Sequence, residues 1–213
     1  MATSTTKEKN DNKIKKNEVV NLCYTDVYEL DELENRHLYI NAEIDDEVID
    51  TIVYHILRYN RMDKGIPVEK RTPIVIYMNS VGGQVSSGYA LIDAMIDSET
   101  PVYTVNQGLC ASMGLLIFLA GQKRYSMRHS EFLLHDGSTM GFDSTAKMKD
   151  RMDFETKQIE KITKEYVVER TQISPKTYDK KYRIEWYFLP EEAKRIGVID
   201  YIVGVDCPLS EIV

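Results

Sequence analysis

Hydrophobic and polar positions along the chain fall into alternating strand-like and helix-like runs. His37-Leu38-Tyr39-Ile40 reads as a short strand, and Val48, Ile52, Val53, Ile56 and Leu57 return at helical spacing between Glu47 and Arg61. Met62 to Pro73, with Gly65, Pro67 and a run of charges, is a surface loop. Ile74 to Met78 is apolar on both faces, the pattern of a strand buried in a parallel sheet. Val85 to Ile96 restores a helical period, Pro101 to Val105 is a second β-rich run, Ser112 to Ala120 an apolar helix, and Phe132 to Leu134 a third strand. From Thr145 to Thr171, Met148, Met152, Ile159, Ile162 and Tyr166 mark a long amphipathic helix whose stripe serves either the core or a subunit contact. Pro190 to Gly197 has Pro and acids first, bases next and Gly last, the order that capping and the macrodipole favour in a helix. Val198 to Val203 closes the pattern as a strand, and the alternation as a whole predicts an α/β fold with a largely parallel sheet.

Composition adds limits. Residues 1–17 are rich in Ser, Thr, Lys and Asn and read as a disordered polar tail; residues 18–213 read as a single domain. The tail has no apolar stretch followed by a small-residue cleavage site, so it is not a secretory signal, and its lysines (Lys7, Lys9, Lys13, Lys15, Lys16) read as solvated rather than as a binding arm. In 213 residues, 43% of them hydrophobic, there is room for one sizeable core. Against 34 Asp+Glu stand 27 Lys+Arg, and the net charge of −7 argues against nucleic acid as the main ligand. The apolar runs 74–78 and 114–120 fall far short of the roughly 20 residues that span a bilayer, so no membrane partner is expected. Cys23, Cys110 and Cys207 are odd in number and far apart, which fits neither a disulfide framework nor a zinc site and predicts a reducing, cytoplasmic location.

Candidate chemistry lies at three strand ends, where open α/β sheets collect ligands. Gly82-Gly83 follows the buried strand and lets a backbone approach closely with N–H groups free. Ser112, in Cys110-Ala111-Ser112-Met113-Gly114, sits where a turn gives way to a helix, so the Met113 N–H is placed to stabilise a developing oxyanion. His135 ends the third strand. Singly, each has a plainer reading: a turn for the Gly pair, an N-cap for Ser112, a structural role for His135. Cys110 is an alternative nucleophile but reads as a small buried hydrophobe. The Gly pair lacks a following Gly-Lys-Ser/Thr, which rejects a phosphate-binding loop, and the histidines lack metal-ligand spacing.

Taken together, Tyr77 to Val85, Gly88, Gly108 and Ala111-Ser112-Met113-Gly114 resemble the proteolytic subunit of the Clp protease, ClpP, a serine peptidase family. The resemblance covers most of Glu34 to Val203 and fades before it. It implies a ClpP/crotonase-like α/β fold, Ser112 as nucleophile, His135 as general base, and an oxyanion hole from the Gly83 and Met113 N–H groups. By it the Thr145–Thr171 helix becomes a protruding handle between two stacked heptamers, and unfolded polypeptides become the substrates. An ATP-consuming AAA+ unfoldase is then the implied partner, and no metal or cofactor is required.

The third catalytic member departs from the family pattern. Counting back from Glu191-Glu192-Ala193 lands on Glu185 where the family has Asp. Glu can hold the imidazole as Asp does, but the extra methylene moves the carboxylate by about 1 Å, a displacement that can cost roughly a hundredfold. Asp179 and Asp200 are alternative orienters. Val81 and Gly137 stand where the family has prolines, the Met62–Pro73 loop is longer, and the family's N-terminal sequence is not found before Glu34. Two other readings therefore remain: a non-catalytic or partner-dependent subunit of a mixed ring with a ClpP paralogue, and a crotonase-type acyl-CoA enzyme, in which Ser112 and His135 would have no role.

Overall fold

A computed structural model describes residues 24–137 and 143–212; the expected tail, 1–17, lies outside them. In chain order the elements are α1 (Tyr24–Glu34), β1 (His37–Ile40), α2 (Tyr54–Met62), β2 (Ile74–Ser80), α3 (Val85–Ile96), β3 (Val102–Ala111), α4 (Met113–Leu119), β4 (Lys123–Ser126) and β5 (Glu131–Leu134). There follow α5 (Thr145–Phe154), α6 (Glu160–Arg170), α7 (Pro175–Lys181), β6 (Trp186–Phe188), α8 (Pro190–Arg195) and β7 (Tyr201–Ile202).

The strands form one seven-stranded sheet in the order β1-β2-β3-β4-β7, with β5 joined to β3 and β6 to β5. Every pairing is parallel except β5 with β6, as the strand-helix alternation anticipates. Because successive side chains on a strand point to opposite faces, β2 feeds two clusters. Ile74, Ile76 and Met78 join α2, α3 and α4 in the main core. Val75 and Tyr77 join Val105, Tyr125, Val203 and Ile212 on the other face. There the C-terminal segment, including a turn of 3-10 helix at Leu209–Glu211, lies over the sheet, and the Tyr77 hydroxyl donates to the Ile212 carbonyl.

Strand β3 is the pivot of the sheet. Its first half pairs with β4 through Tyr103–Asn106 and its second with β5 through Leu109–Ala111. Between them the β2–β3 register shifts, with Met78 opposite Asn106 but Ser80 opposite Cys110. Such a bulge re-aims the strand that carries it. Asn side chains hold it: Asn79 Oδ1 accepts from the Leu109 N–H at 3.0 Å, and Asn106 Oδ1 from the Gly108 N–H at 3.1 Å.

Several expected boundaries are corrected. The long helix is interrupted: α5 and α6 are separated by a π-helical turn, Glu155–Ile159. Its stripe divides, with Met148, Met152 and Ile162 exposed while Thr163 and Val167 are buried against α4 and the Tyr166 hydroxyl donates to the Leu116 carbonyl. The closing strand is only Tyr201–Ile202, because Asp200 turns its backbone N–H to the Arg124 carbonyl and Gly204 starts a tight turn. The Met62–Pro73 loop is not wholly a surface feature: Asp63 is 1% exposed, bound by both terminal guanidinium nitrogens of Arg36 and by the Thr100 hydroxyl. No helix among the described residues is long and apolar enough to cross a membrane.

Candidate active site

The register of the sheet assembles the site. In the parallel β3–β5 pair Ala111 lies opposite Leu133, and the Ser112 N–H donates to the Leu133 carbonyl at 3.0 Å. One step further brings Ser112 beside the chain that leads to His135. In the antiparallel β5–β6 pair Leu134 lies opposite Trp186, so continuation by one residue sets His135 opposite Glu185. Their side chains meet there, with His135 Nδ1 and Glu185 Oε1 2.8 Å apart. His135 is 23% and Glu185 60% exposed at the side chain.

Ser112 caps the start of α4 with φ 53° and ψ −125° and makes no side-chain capping bond. Ser112 thus holds the N-cap position, but its hydroxyl is not spent on bonding the first turn of the helix. A non-glycine residue at this φ costs of order 1–3 kcal/mol and persists only where the surroundings impose it. Here β3, β5 and the fully buried α4 hold both ends of the turn. The turn also needs bare backbone opposite. A Cβ on Gly82, whose φ is 97°, would lie 2.7 Å from Ser112 Cβ, and one on Gly83 would lie 2.2 Å from the Ile44 carbonyl oxygen. Ile44 fixes that loop from the other side: its N–H donates to the Gly82 carbonyl at 2.8 Å, and its carbonyl accepts from the Gln84 N–H at 2.7 Å. The Gly83 and Met113 N–H groups have no backbone acceptor among the described residues.

Gly83, Ser112, Met113 and His135 line one cleft of about 970 Å³. Its walls come from α3 (Val85, Tyr89, Asp93), α4 (Leu116) and the π turn with α6 (Ile159, Ile162, Thr163). Glu185 reaches it only through His135. Among the described residues the Ser112 hydroxyl has no hydrogen-bond partner, so the structure joins His135 to Glu185 and sets Ser112 in the same cleft without a hydrogen bond to His135.

The other candidates are accounted for. Cys110 is fully buried, and burial pushes its thiol well above the ordinary range, so it is not a thiolate nucleophile. Asp179 pairs with Lys164 at 2.7 Å. Asp200 accepts from the Arg124 backbone N–H at 2.8 Å. Val81 is exposed, and a Cβ on Gly137 would meet open space. Among the described residues no group of three His, Cys, Asp or Glu is placed to hold a metal.

Sequence reasoning missed the wall opposite Ser112. Tyr89 and Asp93 on α3, and Tyr182 at the end of α7, enter the cleft from segments that carry no motif. Their helical spacing showed a shared face but not what that face lines.

Comparison with known proteins points to one family. A family model described as Clp protease matches residues 21–206, a span that begins well before Glu34 and so extends the resemblance read from the sequence. The chain is 30% identical over 176 residues to "ATP-dependent Clp protease proteolytic subunit 3" of Streptomyces coelicolor, covering 80% of this chain and 76% of that protein. It is 31% identical over 189 residues to "ATP-dependent Clp protease proteolytic subunit 1" of Frankia casuarinae, with 80% and 78% covered. Over 105 residues it is 37% identical to "ATP-dependent Clp protease proteolytic subunit 2" of Treponema pallidum, with 48% and 50% covered.

Proposed function

Because the chain belongs to the Clp protease family, we propose that it is a catalytically competent serine endopeptidase subunit whose triad is Ser112, His135 and Glu185. The observation that carries this reading is the 2.8 Å His135–Glu185 contact beside the strained turn of Ser112. With Nδ1–H donated to the carboxylate, the tautomer assigned to His135 leaves Nε2 as the base. Ser112 Oγ attacks the scissile carbonyl carbon as Nε2 takes its proton, and the carbonyl oxygen becomes an oxyanion between the Gly83 and Met113 N–H groups. Collapse expels the amine, which takes the proton back from His135. Water then repeats the sequence on the acyl-enzyme, with Glu185 stabilising the imidazolium in both halves.

The same reading makes unfolded polypeptides the substrates, two stacked heptamers the assembly, an AAA+ ATPase the partner and the cytoplasm the location. Exposed Met148, Met152 and Phe154 on α5 offer the apolar contacts that ring stacking requires. A crotonase-type acyl-CoA activity loses support, since it would leave the Ser112 turn and the His135–Glu185 pair unused.

The exposure of Glu185 favours one further reading, a subunit that becomes active only in a mixed ring where a neighbour covers the carboxylate. Intact mass after treatment with a fluorophosphonate probe separates the two. Wild type should gain one probe mass, Ser112→Ala none, and Glu185→Ala should label more slowly. A folded wild-type ring that stays unlabelled rejects the autonomous peptidase.

A further inference from the structure

The Gly82-Gly83 loop has little shape of its own. Both residues have positive φ, 97° and 150°, and two adjacent glycines hold one conformation only where their surroundings impose it. Gly83 stands in an isolated parallel bridge with Ile44, through the two backbone bonds that tie Ile44 to Gly82 and Gln84. The Gly83 N–H offered to the oxyanion is therefore only as well placed as Ile44.

Two things hold Ile44. Its side chain is fully buried in the main core. Two residues on, Asp46 turns the chain toward α2, with its carbonyl accepting from the Ile49 N–H at 3.1 Å, and its carboxylate accepts from the Ser87 hydroxyl at 2.7 Å. Gln84 Oε1, at 3.2 Å, is the longer second acceptor of that hydroxyl, so the single hydrogen belongs to Asp46. Ser87 is 1% exposed in the first turn of α3, which begins directly after Gly83-Gln84. The Ser87–Asp46 bond thus closes a ring of contacts that runs from Gly83 through α3, Asp46 and Ile44 back to Gly83. The next residue, Gly88, serves the second oxyanion donor: a Cβ there would run into Cγ and Sδ of Met113, whose side chain lies buried against the bare helix backbone.

We infer that Ser87 and Asp46 are positioning residues for the oxyanion hole, and that the hydrogen bond between them sets the place of the Gly83 N–H. The inference rests on the peptidase reading above. A donor stabilises a developing oxyanion only within a narrow range of distance, and loss of one whole donor costs about 10² to 10³ in rate. Releasing Asp46 while Ile44 stays buried shifts that donor without removing it, so about tenfold is expected. The effect belongs to the transition state, since the ground-state carbonyl and the protonation of His135 do not depend on it.

The test uses the full chain, a fluorogenic peptide, and two inhibitors of one peptide sequence that end in an aldehyde or in the corresponding alcohol. With the aldehyde, Ser112 Oγ adds to the carbonyl carbon, His135 Nε2 takes the hydroxyl proton, and the carbonyl oxygen receives the π electrons as an oxyanion; the alcohol forms no bond. Ser87→Ala and Asp46→Ala should each lower kcat about tenfold with KM within about twofold, and weaken the aldehyde about tenfold while the alcohol binds as before. The double variant should be no worse than either single one, because both remove the same bond. Asp46→Asn, which keeps an acceptor oxygen, should recover most of the loss, and the limb of the kcat/KM profile set by His135 should stay at the same pH throughout. Asp46 is exposed, so Asp46→Ala decides the question should Ser87→Ala fail to fold. Wild-type kinetics in the folded single variants, additive losses in the double, or equal weakening of aldehyde and alcohol overturns the positioning role while the peptidase reading stands. A folded wild type that neither hydrolyses the peptide nor binds the aldehyde more tightly than the alcohol overturns both.

Discussion

The two halves of the proposed catalytic cleft, that of the proposed nucleophile and that of the proposed base, are built in opposite ways. The nucleophile half is embedded in the core: Ser112 is flanked by Ala111 and Met113, 2% and 3% exposed, and α4 behind it is buried throughout. The base half stands at the margin, where β5 ends and a three-residue antiparallel strand carries the Glu185 turn. The position of Ser112 is thus fixed by packing, whereas the orientation of His135 depends on a carboxylate that water can reach. Packing at close-packed sites is intolerant of even one added carbon, while a solvated ion pair is weak and adjustable. Substitutions in the first half should therefore be severe, and those in the second graded.

The largest effect should come from adding one carbon opposite Ser112. Gly82→Ala places a Cβ 2.7 Å from Ser112 Cβ at a φ that L-residues disfavour, and displacement of Ser112 by about 1 Å should slow fluorophosphonate labelling by a factor of roughly 10² or more. Circular dichroism of the same variant should remain native-like. Next in size, Glu185→Gln keeps the shape and removes the charge. A buried Asp in this role is worth about 10⁴ in rate; with Glu185 largely solvated, a loss of only about 10 to 10² is expected, and Glu185→Asp should change the rate by less. Steady-state hydrolysis of a fluorogenic peptide would measure both, and a 10⁴ loss in Glu185→Gln would mean that the carboxylate is desolvated in the assembled ring.

The smallest effect on catalysis should come from the frame on which the nucleophile half is built. Hydrogen bonding from Arg36 holds the Asp63 carboxyl below its usual range. A depressed folded-state value contributes stability above the unfolded value of about 3.9 and loses it as pH falls through the folded one. Asp63→Asn should therefore flatten the acid limb of a thermal-melt series below about pH 4, and cost about 3 kcal/mol at neutral pH. Labelling of Ser112 in the folded variant should stay within about twofold of wild type.

Legibility in the sequence followed the same division. Ile74–Met78, Val85–Ile96 and the apolar helix after Ser112 were readable because burial on both faces and helical periodicity are local signals. Ser112 and the Gly pair stood out because tight turns restrict residue types. By contrast β6 is three residues long, too short for alternation to register, and Glu185 was reached only through the resemblance to a family. The π turn at Glu155–Ile159 leaves no compositional mark. Asp63 looked like one more charge in a loop, because its partners Arg36 and Thr100 lie far away in the chain. Tyr89 and Asp93 were hidden for the same reason, since what α3 faces is decided by the returning α6.

The C-terminal segment over the sheet carries a practical consequence for handling the protein. Ile212 is 2% exposed and its carbonyl is held by Tyr77, so the described C-terminal segment is part of the packed structure. An affinity tag fused there starts beside a buried residue and competes for the surface formed by Val75, Tyr77 and Tyr125.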